Sequence, residues 1–460
     1  MKIAYICPGT GGAFYCENCV RDHALTSGLR ALGHDVTVVP MYLPVNEAGG
    51  NEGDAVPVMF GAVRLYLIDK FPFLKRVPDK LLGALDNSAI LDLAASFAAS
   101  TRAGGHEEMT IGMIKGESGP FADEFDKLSE WLLKQKPDLI FLPNAFLLGI
   151  ASAVKAKSNI PVICMLQDEH VWVDASSPEY RDKTWDIILE KCAKADMLCT
   201  HSLWYKEKFC SLTDVCAERI KVIPFGVDPA KYTLSYGSNR QTSIGYISRL
   251  CGVLGMGVLA DAYCQLLKNK KCGKPVLEFC GGYTNDDLAV IKESRKKVAS
   301  FGGEMRIHKN FSLDHRTAFL SSLSILSVPV RESIAFGGFI TEAMASGVPV
   351  VQPDDGGFTE VVSETGCGVL YSPNTPEALA AALEEVLSDT DKLKLMAQAG
   401  RDAVLRKYNN VNMAQEALAF LNDKQRSLIN HGLKPVVMDN VPKTVLASIQ
   451  DAENTEAINV

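Results

Sequence analysis

The residues best suited to chemistry lie between Arg331 and Val362, RESIAFGGFITEAMASGVPVVQPDDGGFTEVV, where glycine pairs alternate with carboxylates. Gly337 and Gly338 lack a Cβ, so a ligand can come close to the backbone beside Phe336. A helix opening there points unpaired N–H groups and a positive dipole end outward, which suits a phosphate. Glu342 reads as lying in the first turn of that helix. Its carboxylate either complements the dipole or accepts hydrogen bonds from a sugar diol, and its position alone leaves both open. Gly356 and Gly357 form a second polar turn leading to Glu360. Two such turns at neighbouring strand ends line one crevice in an open α/β sheet.

Other clusters carry less. Cys16-Glu17-Asn18-Cys19, with Cys7 upstream and His23 downstream, has the residue types for thiol exchange or zinc. Cys7 reads as pointing into a sheet and no second CxxC follows, so thiols packed near the cleft are expected and no metal site. Gly11 and Gly12, between the first strand and first helix, either admit a phosphate or make a tight turn. GTGG is not GxGxxG, and the second strand ends in Pro40-Met41 with no ribose-binding acid, which discounts a nicotinamide enzyme. Asp168 and Glu169 follow a strand end and either meet sugar hydroxyls or cap the next segment.

The elements that must hold these residues repeat a β-loop-α-β unit. Apolar strands are predicted at Lys2 to Cys7, Val36 to Val39, Asp138 to Leu142, Pro161 to Met165, Met197 to Thr200 and Lys221 to Ile223. A second series runs through Thr242 to Ile247, Val276 to Cys280, Met305 to Ile307, Ser324 to Val328, Val348 to Gln352 and Gly368 to Tyr371. Short strands alternating with helices predict parallel sheets, hence an α/β fold in two domains. The expected division is 1–228 with an insertion at about 46–120, a linker at 229–241 and a second domain at 242–410. A helix at 411–422 and a polar tail at 423–460 complete it. A cleft between two such domains is a natural ligand site.

GVPVV, then GG, then E at this spacing resembles the donor-site signature of the retaining nucleotide-sugar glycosyltransferases of family 4. The likeness continues in the N-terminal glycine turn and GHDVTVV, in PFGVD at the junction, in GYISRL and in TPEALAAAL. It implies a GT-B fold, two facing Rossmann-like domains, and transfer of a sugar from a UDP- or GDP-type donor to a carbohydrate or lipid-linked hydroxyl without cofactor or metal. Arg249 would then hold the departing diphosphate, through a charge-assisted hydrogen bond worth roughly 1.5–3 kcal/mol. Glu332 and Asp168 complete the catalytic set so implied. The donor set is Gly11, Gly12, Arg249, Gly281, Gly282, Phe336, Gly337, Gly338, Glu342, Gly356 and Gly357.

FYCENCVRDHAL and LQDEHVW also resemble a less studied bacterial branch carrying CxNCxRD and LQGED, which implies that Asp22, Gln167, Asp168 and Glu169 shape the acceptor side. Three positions depart from the family. Leu254 stands where a diphosphate-binding lysine is usual, Gln167 where a histidine is common, and Ile334 where a glutamate holds the sugar, with Glu332 two residues earlier as its replacement. These departures make a non-catalytic sugar-nucleotide-binding protein the alternative.

Composition agrees with this class. A chain of 460 residues with 47% hydrophobic content can build two or three cores, and a net charge of −8 gives no general footprint for nucleic acid or an anionic membrane. No apolar run has the length of a membrane span, and the N-terminus lacks a signal-peptide pattern, so a soluble cytoplasmic protein is expected. Thirteen cysteines, mostly inside apolar runs, read as reduced core thiols.

Overall fold

The computed structural model describes residues 1–8, 15–41, 106–235, 241–269 and 271–430. Gly11, Gly12, residues 46–105 of the expected insertion and the end of the tail lie outside these. In the first lobe, β1 (Lys2–Cys7), β2 (Asp35–Pro40), β3 (Leu139–Leu142), β4 (Val162–Met165), β5 (Met197–Thr200) and β6 (Ile220–Val222) form one parallel sheet ordered β2-β1-β3-β4-β5-β6. In the second, β7 (Ser243–Ile247), β8 (Val276–Cys280), β9 (Glu304–His308), β10 (Ile325–Leu326), β11 (Val350–Pro353) and β12 (Gly368–Tyr371) form another, ordered β12-β11-β10-β7-β8-β9.

Most central strands are buried from end to end, as in β3, β4, β7 and β8, because crossover helices cover both sheet faces. β10 is shorter than predicted, two residues against the expected Ser324 to Val328. Pro329 follows closely and has no N–H for the ladder. Strand order reverses at β1/β3 in one sheet and at β7/β10 in the other, and ligand crevices form at such points beyond the strand ends.

Six helices position the site: α1 (Glu17–Ala31), α2 (Glu169–Asp174), α3 (Leu203–Thr213), α4 (Gly338–Ala345), α5 (Gly357–Thr365) and α6 (Asn410–Asn430). The last crosses back to the first lobe, where Asn410 Nδ2 donates to Ser27 Oγ (2.9 Å) and Lys221 pairs with Glu416 (2.7 Å). It runs to Asn430 and does not stop at 422, since 423–430 holds no proline or glycine and several good helix formers. Of the expected insertion, the described part forms a helix at Glu107–Lys115 that leads into a short 3₁₀ turn. Within the expected linker, Pro229–Lys231 is a 3₁₀ turn capped by Asp228, and Tyr232 is buried. Among the described residues no helix is long and apolar enough to cross a membrane. Among the described residues no cysteine is joined in a disulfide.

Candidate functional site between the lobes

The loop after β10 carries Phe336, stacked on Phe225 of the interlobe junction at 4.3 Å between ring centres, and then turns at Gly337 into α4. The Gly338 N–H at the start of α4 faces the first lobe. There the Glu17 carboxyl accepts the Gly338 N–H at 3.1 Å, so a side-chain oxygen of the chain already occupies the helix start. Burial raises the Glu17 pKa to about 8; the Gly338 N–H opposes that rise, while Asp168 and Glu342 add to it. Tyr15, two residues before Glu17, extends the contact: its N–H donates to Gly281 O at 2.5 Å and its hydroxyl to Glu342 Oε2 at 2.6 Å.

Glu342 is fully buried and lies in the second turn of α4, not the first as the sequence suggested. The helix begins only at Gly338, so the dipole argument falls away. Arg316 Nε (2.8 Å) and the hydroxyl of Tyr232 (2.7 Å) donate to Oε1, and with Tyr15 they satisfy the carboxylate from three directions. A sugar diol would have to displace the two tyrosines. Tyr15, Glu17, Tyr232 and Arg316 were missed by sequence reasoning, since nothing in their local pattern points towards α4.

Arg249 follows β7 as expected, and its guanidinium is taken up by Asp287 (Nε to Oδ2, 2.9 Å) and Thr284 Oγ1 (2.9 Å). Gly281 has φ +145°, and a Cβ there would come within 2.0 Å of Ser248 O; Gly282 follows with φ +74°. Packing between turns also explains Gly357, whose Cβ would meet Ala335 O at 2.2 Å, and Gly356, which adopts φ +58°. This pair therefore serves to press two loops together. Glu360 reaches across the lobes and caps α3, accepting Leu203 N–H (2.8 Å) and Trp204 N–H (2.6 Å).

Asp168, at φ +45°, accepts the Ala335 N–H, and burial moves its pKa up to about 7. It thus joins the lobes one residue before Phe336. Its neighbours do otherwise. Glu169 is fully buried beneath the strand ends, accepting Ala145 N–H, Gln167 N–H and the Tyr205 hydroxyl. Asp22 binds the Tyr5 hydroxyl (2.8 Å) and the buried Arg21 (2.7 Å), while Gln167 accepts from Arg21. The expected acceptor-side residues are therefore committed to a framework under the cleft. Buried charges of this kind persist because each is paired and hydrogen-bonded.

Ile334, at the place of the family's sugar-holding glutamate, is 8% exposed, and its carbonyl accepts the Gly357 N–H. Glu332, the expected replacement, lines a hollow together with His170 and Trp204. The Leu254 carbonyl takes the Tyr246 hydroxyl at 3.2 Å. Cys16 caps α1 by accepting the Cys19 N–H at 3.4 Å, and among the described residues no three His, Cys, Asp or Glu side chains are grouped to hold a metal.

Two facing parallel sheets, with a groove between their switch points, define a GT-B architecture. Over 92% of this chain and all of the other it matches the Anabaena protein HepE in complex with UDP-glucose, at 18% identity and a TM-score of 0.61. A sucrose-phosphate synthase from Thermosynechococcus elongatus superposes over 94% of this chain and all of its own, at 16% identity and a TM-score of 0.65. Residues 241–389 match the family described as glycosyl transferases group 1, and residues 109–231 match Glycosyltransferase Family 4. The chain belongs to the glycosyltransferases of this family and fold. An uncharacterized glycosyltransferase of Methanocaldococcus jannaschii is 26% identical over 229 residues, 46% of this chain and 56% of the relative. The chain spans about half the length of the curated relatives it matches.

Proposed function

We propose that the protein is a retaining glycosyltransferase that moves a sugar from a UDP- or GDP-type donor to a hydroxyl of a carbohydrate or lipid-linked acceptor, without a bound metal. The observation that carries this reading is the Glu17 carboxylate on the Gly338 N–H, which occupies a seat a donor phosphate oxygen would take. Related structures solved with UDP and with UDP-glucose support a nucleotide-sugar donor.

In this mechanism Glu17 leaves α4 as the donor enters, and the diphosphate accepts the freed Gly338 N–H. Arg249, at the end of β7, turns part of its guanidinium from Asp287 towards the charge that gathers on the leaving group. The acceptor hydroxyl attacks on the face the diphosphate leaves, and the phosphate takes the proton, so no protein nucleophile is needed. Leu254 and Ile334 are the ground for the alternative, a sugar-nucleotide-binding protein without turnover, which the match to glycosyltransferase family models does not favour.

Calorimetry with UDP, GDP and ADP, followed by donor turnover read by mass spectrometry with and without chelator, separates these. One nucleotide should bind, turnover should survive the chelator, and Arg249→Ala should weaken binding by about 10- to 100-fold, the equivalent of roughly 1.5–3 kcal/mol. Tight binding with no turnover over a donor panel supports the second reading. Unchanged affinity in Arg249→Ala removes the residue's assigned role.

A further inference from the structure

A hollow of about 410 Å³ opens between the lobes. α2 contributes His170 and Asp174, α3 contributes Trp204 and Lys208, and the loop after β10 contributes Arg331 and Glu332. This volume falls in the range of about 300–1,000 Å³ common to small-molecule sites.

The groups facing this space hold unused hydrogen-bonding capacity of both kinds. Among the described residues Lys208 and Arg331 have no carboxylate within 4.0 Å, although Asp174 and Glu332 line the same hollow. His170 is 7% exposed, with Nε2 2.9 Å from the Ser333 carbonyl and Nδ1 buried without a partner. A carbonyl can only accept, so Nε2 carries the proton. Burial lowers the His170 pKa and favours the neutral ring, which leaves Nδ1 as a bare acceptor. Trp204 packs edge-on to His170 at 5.7 Å and supplies an apolar indole wall.

We propose that this hollow is a subsite for an uncharged sugar ring of the acceptor, a proposal resting on the transferase reading above. Carboxylates take up vicinal hydroxyls, the two cations donate to ring and hydroxyl oxygens, and the indole covers the C–H face. An anionic ligand fits less well: with Asp355, three carboxylates face two cations. A lipid chain would meet charge on most sides. Glu332 and Ser333 run directly into the turn that opens α4, so a sugar held here lies beside the groove of the proposed donor.

Saturation-transfer NMR with methyl glycosides of glucose, galactose and mannose, and with glucose 6-phosphate and inorganic phosphate, tests this on the whole chain. At least one neutral glycoside should bind, and Trp204→Ala and Asp174→Asn should each weaken it at least tenfold, with UDP affinity by calorimetry within twofold of the parent. Lys208→Ala guards against a misfolded Trp204 variant and should also weaken the glycoside. The proposal is overturned if no neutral glycoside binds, if binding survives all three substitutions, or if phosphate alone displaces the sugar. UDP binding with no glycoside bound defeats the subsite and spares the donor reading. A glycoside lost with these substitutions in a chain that ignores every nucleotide defeats the donor reading and leaves a sugar site.

Discussion

If a donor phosphate must evict Glu17 from Gly338, nucleotide binding must release a proton. While seated, the Glu17 carboxyl is raised from 4.5 to about 8. Released into water it returns towards its ordinary value. Below about pH 4.5 both arrangements are protonated and above about 8 both are ionised, so the seated form alone holds the proton in between. Raising the pH through this window favours release and therefore favours the nucleotide. At about 1.4 kcal/mol per pKa unit the full rise corresponds to about 5 kcal/mol. Glu17 keeps some contact with solvent, which reduces this to roughly 2–3 kcal/mol, or about 30- to 150-fold in affinity.

The perturbation is Glu17→Gln, which retains an oxygen for the Gly338 N–H and removes the ionisable group. UDP calorimetry near pH 6.5, in buffers of different ionisation enthalpy, counts the protons released. The parent should release roughly one more proton than the variant, and between pH 6 and 8 its affinity should gain about tenfold or more relative to Glu17→Gln. Taking the difference cancels the nucleotide's own phosphate ionisation. Equal proton counts in both proteins would refute the eviction of Glu17, and with it the seat assigned to the phosphate.

Two stability predictions follow from packing. Glu342→Gln strips the partly buried Arg316 of its counter-charge and should cost about 3 kcal/mol in the second lobe, the low end for a broken buried pair, read as a lower midpoint in thermal or denaturant unfolding. Gly28→Ala places a Cβ 2.1 Å from Asn410 O, where α1 meets α6. It should cost roughly 1–3 kcal/mol, seen as a fall in Tm.

The pattern of short apolar strands and intervening helices determined by itself that the chain is α/β with two parallel sheets. Periodicity and turn residues are local properties, and they located nearly every strand to within a residue or two. They also marked the turn at Gly337 and Gly338 and placed Arg249 at a strand end. Only the tertiary structure decided which polar groups are free. Asp22 and Glu169 look open in the sequence, yet their bonds run to Arg21, Tyr5, Tyr205 and Ala145 under the cleft. Glu342 looks like a helix-start charge, but Tyr15 lies 327 residues away along the chain and Tyr232 110 residues away. A carboxylate's chemistry depends on the donors within about 3 Å of it. When folding draws those donors from the other lobe, no spacing in the sequence records them.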